Sequence, residues 1–228
     1  MKSTVWDYVW SGVLITCLLI LSVLAVMAVH AGSQSLLGQY QVILDVVIFF
    51  VAFGILSGVL IRVLLKVRAI PPGAYTLTSG EFAHWKLLTV FYHLGRGALR
   101  PFVPFFLLPL VDVAMGAKIG KDVAFGGMID DPYWVEIGNE VVLGHNSLVS
   151  GSYLWDGKVI CGRVTIGDGA TVGANSIVFP DVDIGAGANV MNASCVMPGT
   201  KIPAGETWRG NPARKWIQPA AGKSAATD

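Results

Sequence analysis

Ile166-Gly167-Asp168-Gly169-Ala170-Thr171-Val172-Gly173-Ala174-Asn175-Ser176-Ile177-Val178 reads as a repeat of six residues. An aliphatic side chain stands at 166, 172 and 178, and a small one four places later, at Ala170 and Ser176. Counted toward the C-terminus, the sixes continue through Ile184, Val190, Val196 and Ile202 and end at Trp208. Counted backward they give Ile160 and Leu154, slip by one residue, and resume at Val149, Leu143 and Ile137. Asp131 breaks the pattern before Phe125 and Ile119 complete it. The second position runs Val164, Ala170, Ser176, Val182, Ala188, Ser194, Thr200 without a gap. A fixed short period matched at two positions is the mark of a solenoid. Each hexad supplies a short strand and a corner, the aliphatic residue points into a triangular prism, and three hexads close a coil. One coil cannot bury its own apolar face, so coils stack, and Ile119 to Trp208 makes about five of them. Gly and other small residues suit the tight corners. Residues 151–163 are poor in repeat character and are predicted to form a loop pushed out of the prism, where insertions gather on one face that is often a binding face.

Upstream the pattern changes. Val9 to Val29 carries no charge, and Val42 to Leu65 carries only Asp45 and Arg62. Each run is near the roughly 20 residues a helix needs to cross a bilayer. The first is too long for a signal-peptide core and lacks a small-residue cleavage site followed by a soluble chain. Two spanning helices are expected, against an alternative of one anchor and one buried core helix. The connecting loop, His30 to Gln41, has no Lys or Arg, whereas Lys2 precedes the first run and Arg62, Lys66 and Arg68 close the second. The positive-inside rule then places both termini and the prism in the cytoplasm, on a multi-pass protein of the inner (cytoplasmic) membrane. Asp45 is expected at the outer interface. Ile70-Pro71-Pro72-Gly73 breaks the helix. Tyr75, Phe82, Trp85, Phe91, Tyr92, Phe102, Phe105 and Phe106, mixed with Lys86, Arg96 and Arg100, suit helices in the headgroup layer or a connector packed on the anchor. The expected division is an anchor over 1–68, connector helices over 69–114, a β-helix over 115–217 and a flexible tail over 218–228.

Composition narrows the partners. Charged residues are 14% of 228, and the mean hydropathy is +0.62. A net charge of +1 with no basic stripe argues against nucleic acid. Cys17, Cys161 and Cys195 show neither a C-x-x-C pair nor metal-ligand spacing, which fits a reducing compartment.

The run Ile166–Val178 resembles the coils of the hexapeptide-repeat acyltransferase superfamily. Lys201-Ile202-Pro203-Ala204-Gly205-Glu206-Thr207-Trp208-Arg209-Gly210-Asn211-Pro212-Ala213-Arg214 resembles its ending, in which a Gly-Asn-Pro-Ala turn closes the last coil. Pro72-Gly73, the aromatic stretch and Met115-Gly116-Ala117-Lys118-Ile119-Gly120 are similar to the transmembrane acetyltransferase-like terminal domain of some nonribosomal peptide synthetases. Parallel crossovers are ordinarily right-handed; the resemblance implies a left-handed β-helix instead. It also implies a homotrimer, acetyl-CoA as donor substrate in grooves between prisms, and no metal.

The superfamily commonly uses a histidine as general base. His30 lies at the outer end of the first apolar run, His84 and His93 lie in the aromatic stretch, and His145 is the only one in the prism. Two residues past Leu143, it is expected to point outward near the extruded loop. In the synthetase-linked relatives a Gly-His pair follows a few residues later; here Gly151 is followed by Ser152. The catalytic candidates are therefore His145, Ser152 and Asp156, with Asp130, Asp131 and Glu136 able to orient a histidine or act alone. For the donor, Gly185, Ala186, Ala204 and Gly205 offer close backbone approach to a pantetheine arm, and Arg209, Arg214 and Lys215 can neutralise CoA phosphates. Trp208 fills an inward position, while Trp216 is more open to a binding role. The expected function is transfer of an acetyl group to a hydroxyl or amine of a membrane-associated or hydrophobic product, the acceptor itself being unknown. The alternative is a noncatalytic trimeric membrane scaffold. A γ-class carbonic anhydrase would need three zinc-binding histidines across the trimer interface, which a prism with His145 alone does not supply.

Overall fold

The computed structural model describes residues 5–217; Lys2 and the expected tail over 218–228 lie outside the described residues. Helices α1 (Val5–Leu37) and α2 (Gln41–Val67) form a hairpin through a 3-10 turn at Gly38–Tyr40. Within it, Tyr8–Gln34 and Gly38–Val67 are long and apolar enough to cross a membrane. Asp45 does not stand alone at the loop end. His30 Nδ1 lies 2.8 Å from its Oδ2, and Gln41 Nε2 donates to both Asp45 Oδ1 at 2.9 Å and Ser33 Oγ at 2.8 Å.

After β1 (Gly73–Thr76), Ser79 caps α3 (Gly80–Leu99) by accepting from the Phe82 amide at 3.1 Å. Helix α3 runs back along α2 instead of lying flat as a separate layer. A Cβ on Gly54 would sit 2.3 Å from Leu99 Cγ, and one on Gly95 2.6 Å from Ser57 Cβ, so the helices meet along a seam of small residues. The Phe102 ring reaches Phe50, near the middle of the second apolar run, at 5.9 Å. Arg62, the one base inside that run, donates to the carbonyls of Val113 at 2.7 Å and Ala114 at 3.1 Å. It thereby satisfies the free C-terminal end of α4 (Leu108–Ala114).

The prism follows. Its first wall holds β2 (Lys118–Ile119), β5 (Val135–Ile137), β10 (Val164–Ile166), β13 (Val182–Ile184) and β16 (Lys201–Ile202). The second holds β3 (Ala124–Phe125), β6 (Val142–Leu143), β11 (Thr171–Val172), β14 (Asn189–Val190) and β17 (Thr207–Arg209), closed by antiparallel β18 (Arg214–Lys215). The third holds β4 (Met128–Asp130), β7 (Leu148–Ser150), β12 (Ile177–Val178) and β15 (Cys195–Val196). Neighbouring coils pair in parallel and in register, as Ile137, Ile166, Ile184 and Ile202 show along the first wall. These residues and their counterparts on the other walls fill one core. The corner glycines serve the stacking more than the turn. A Cβ on Gly185 would lie 2.4 Å from the Ala204 backbone nitrogen, whereas the positive φ of that corner falls on Gly187.

Two details correct the count in sixes. The inward residue of the first coil's third wall is Ile129, paired with Val149, not Asp131. The corner Gly126–Gly127 is shorter than its counterpart Gly144–Ser147, and the lost length returns in a 3-10 turn at Pro132–Trp134. Leu154 and Ile160 are not in the prism at all. They belong to a hairpin of β8 (Ser152–Trp155) and β9 (Lys158–Cys161). Asp156 and Gly157, at φ 47 and 67, make its two-residue turn, the conformation that matches strand twist. The extruded segment is thus no free loop. Strand β9 also pairs with β1, Ala74 opposite Ile160 and Tyr75 opposite Val159, so the insertion clamps the prism to the helical unit. Val159 and Cys161 share a core with Phe82, Phe91 and Tyr92 of α3.

Candidate functional site

The seam between α3 and the first two coils gathers the buried ionisable groups. The Tyr92 hydroxyl donates to the Ile129 carbonyl and lies 3.2 Å from Asp112 Oδ1. Arg96 Nε lies 3.2 Å from the same oxygen. Asp112 is fully buried, and its Oδ2 has no hydrogen-bond partner among the described residues. Burial pushes its carboxyl up to about 6, although Arg96 and Tyr92 pull the other way. Asp130 follows Ile129 on β4. Burial raises its carboxyl too, while the charges of His93 and Arg96 oppose the rise, and its Oδ1 is buried with no hydrogen bond among the described residues. His93 stands one helical turn before Arg96 and is exposed.

Asp131, only 4% exposed, forms the adjoining corner. Ser152 Oγ donates to its Oδ2, and the Tyr133 hydroxyl donates to Oδ1 at 2.9 Å. The Trp85 indole N–H lies close enough to favour the charged form without meeting full hydrogen-bond geometry. Burial still holds the Asp131 carboxyl above its usual range, and burial with the Asp131 charge pushes the Cys161 thiol up to about 12, which leaves it unreactive.

The three predicted catalytic residues are not brought together. Ser152 is buried at the seam, committed to Asp131. Asp156 sits exposed at the hairpin tip, roughly 13 Å farther along the strand. His145 is exposed on the corner between the second and third walls, whereas the hairpin leaves from the corner between the third and first. Strand β7 separates them, so His145 is not near the extruded segment as expected; its ring has no carboxylate partner among the described residues. Glu136 faces solvent on the first wall, paired with Lys118 at 2.8 Å. Sequence reading passed over Arg96 and Asp112. The available signal was a polar His93–Arg96 pair at i, i+3 on a mostly apolar helix, and one acid inside the apolar run before Met115.

The predicted donor residues do share one end of the prism. Gly185, Ala186, Ala204 and Gly205 stack on the corner between the first and second walls, with the Gly205 amide donating to the Ala186 carbonyl at 2.9 Å. Arg209 and Arg214 stand directly opposite each other across β17 and β18, both exposed. Neither has a carboxylate partner among the described residues. Lys215 differs, since its Nζ is paired with Glu206, which also accepts from Trp208 Nε1 at 2.9 Å. Trp216 lies beneath the Arg209 guanidinium, 5.4 Å from ring centre to Cζ.

No family model and no curated protein matches this chain. Solved structures do. A hexapeptide-repeat acetyltransferase from Vibrio cholerae superposes with a TM-score of 0.51 at 17% identity, over 68% of this chain and 97% of the other. The same protein complexed with acetyl coenzyme A gives 0.48 at 16% identity, over 62% and 90%. A hexapeptide transferase family protein from Anaplasma phagocytophilum gives 0.36 at 23% identity, over 44% of this chain; the match spans about half, 54%, of that protein's length. The first of these superpositions shows the fold: the prism is the left-handed β-helix of hexapeptide-repeat acetyltransferases, with a helical region before it.

Proposed function

We propose that this protein is an acyl-CoA-dependent acyltransferase of the membrane surface, moving an acetyl group from acetyl-CoA to a hydroxyl or amine of an amphiphilic acceptor. The observation that carries the reading is the Arg209–Arg214 pair. Like charges directly opposite on adjacent strands repel. Two unneutralised guanidinium groups in that position favour an anionic ligand, and they stand at the same end of the prism as the stacked small residues of Gly185–Ala186 and Ala204–Gly205. A CoA phosphate meets the arginines, and the pantetheine arm lies against the close-packed backbone. The fold supports the same reading, since it is shared with an acetyltransferase.

The remaining parts of the reading rest on surface chemistry. The outward column of the third wall, Met128, Leu148, Ile177 and Cys195, is apolar along its whole length. A prism wall of this kind is a subunit contact, and a homotrimer buries it while forming grooves for the donor. The exposed faces of α1 and α2 are apolar, which suits two bilayer spans. Basic Arg62, Lys66 and Arg68 at the end of α2 favour a cytoplasmic prism under the positive-inside rule, the side on which acyl-CoA is found. Phe102, Phe106 and Leu110 expose apolar surface beside α2 and give an acceptor's tail a place next to the seam.

The test is direct. Full-length protein in lipid vesicles, given radiolabelled acetyl-CoA and a membrane extract, should move label into the organic phase. Label that stays with CoA would support a scaffold, a reading to which the commitment of Ser152 to Asp131 lends weight.

A further inference from the structure

Helix α2 measures depth for the segment that packs on it. Glu81, in the first turn of α3, is paired at 2.8 Å with Arg68, just past the charged end of α2. Farther along, Gly95 packs on Ser57 and Leu99 on Gly54, and the Phe102 ring lies 5.9 Å from that of Phe50. The return is fixed as well. A Cβ on Gly58 would lie 2.9 Å from the Ala114 carbonyl oxygen, which also accepts from Arg62. The chain therefore leaves the Arg62–Arg68 end of α2, runs to the level of Phe50 and comes back to the end it left. At about 1.5 Å per residue, Phe50 lies about 18 Å from Arg62, more than half of a hydrocarbon layer of about 30 Å. The composition of the turn fits that depth. Phe102 to Val111 contains no polar side chain. Phe102, Phe106, Leu107 and Leu110 are exposed, and so is Phe50, so apolar surface runs without a break from α2 onto the turn. Backbone N–H groups left without partners in hydrocarbon are costly, and Pro101, Pro104 and Pro109 have none to leave. The Arg100 amide donates to the Arg96 carbonyl, and the Leu107 amide to the Pro104 carbonyl at 2.8 Å. Arg100 is exposed where the turn begins, and a basic side chain of that length snorkels toward the headgroups.

We propose that residues 99–111 form a re-entrant membrane element, which enters and leaves the bilayer on the side of the prism and whose Phe102, Phe106, Leu107 and Leu110 are covered by the acyl chains of that leaflet. The inference rests on the reading of α2 as a bilayer span. Lipid is the occupant because the turn continues the lipid-facing surface of α2 at the same depth. The element is also tied to the β-helix. Leu108 packs against the prism core, and the Tyr92 hydroxyl, on the helix that leads into the turn, donates to the Ile129 carbonyl of the first coil. The first coil is thereby held at the bilayer surface, and the prism stands on the membrane instead of hanging from a linker.

The experiment uses the full chain in vesicles, in a background without Cys17, Cys161 and Cys195, with one introduced cysteine at a time carrying a bimane label. The positions are Phe106→Cys in the turn, Ile55→Cys on the exposed face of α2 and Asp183→Cys on the first prism wall. Each label is quenched in turn by lipids with a nitroxide on the acyl chain and by aqueous iodide. Phe106→Cys should match Ile55→Cys, with lipid quenching several-fold above that at Asp183→Cys and little quenching by iodide. On the two flanks, Thr78→Cys and Lys121→Cys should react with an impermeant maleimide from the same side of sealed vesicles; reaction from opposite sides overturns the re-entrant path. Iodide quenching of Phe106→Cys at the level of Asp183→Cys, with Ile55→Cys still quenched by lipid, overturns the element and leaves the two spans standing. A label at Phe106→Cys shielded from both quenchers puts a protein surface on the turn and overturns lipid as its occupant. Iodide quenching at Ile55→Cys overturns the span itself, and this inference with it.

Discussion

The Ser152 hydroxyl donates to the Asp131 carboxylate across a sequence separation of 21 residues, joining the two segments that interrupt the repeat. Both segments leave the prism at the corner between the third and first walls, because Asp130 and Ser150 are opposite each other in β4 and β7. This contact ties the 3-10 turn to the hairpin, and the hairpin to β1 and the helices.

Ser152→Ala should destabilise the protein by about 1–3 kcal/mol, because a buried carboxylate loses a donor and nothing replaces it. The check is a thermal melt in detergent, with Ser152→Thr recovering part of the loss.

Stability should also depend on pH through Asp112. Its ordinary value is 3.8, and burial raises it to about 6 in the folded protein. The fold therefore favours the protonated form. That contribution is fully present below about 3.8 and is lost as pH rises through about 6. Melting should come several degrees lower at neutral pH than near pH 5, and Asp112→Asn should flatten this slope. An unchanged slope in Asp112→Asn would assign the dependence elsewhere, Asp130 and Asp131 being the next groups raised by burial.

Gly185→Ala tests the stacking of coils. The added Cβ would stand 2.4 Å from the Ala204 backbone nitrogen, too close for a side chain to yield by rotation. A melting temperature lowered by roughly 5 °C or more is expected. Gly187→Ala meets no atom within 4 Å but sits at φ 64, so its smaller loss would report backbone strain alone.

The proposed orientation rests on the distribution of charge. Gln39→Cys, in the turn between the two helices and in a background without Cys17, Cys161 and Cys195, should react with a membrane-impermeant thiol reagent added outside intact cells. Protection from outside, with labelling only after lysis, would reverse the topology.

The prism was legible in the sequence because its period leaves two matched positions per hexad, and Ile166 to Ile202 follow the count without a slip. The extruded segment was legible as an interruption but not as a hairpin. Leu154 and Ile160 fitted the sixes by coincidence of spacing: they stand on the two strands of the hairpin and on opposite faces, Leu154 opposite Val159 and Ile160 opposite Tyr153. Its partner β1 is four residues long, too short to show alternation. The seam was less visible still. Tyr92 and Arg96 of α3 are far in the chain from Asp112 and Ile129, and their meeting depends on α3 folding back along α2 over Gly54 and Gly95. The proposed donor end was read by residue type, yet only strand register separates Arg209 and Arg214, which face each other, from Lys215, which Glu206 neutralises.

The measurement that bears most directly on the account is calorimetric titration of the full chain, in detergent, with acetyl-CoA. Saturable binding is expected, weakened about tenfold or more by Arg209→Glu with Arg214→Glu, and the loss should shrink as salt screens the phosphates. Lys215→Glu, which removes a base already held by Glu206, should cost less. No detectable binding by the parent protein, or binding that the paired arginine substitutions leave unaltered, would contradict the account.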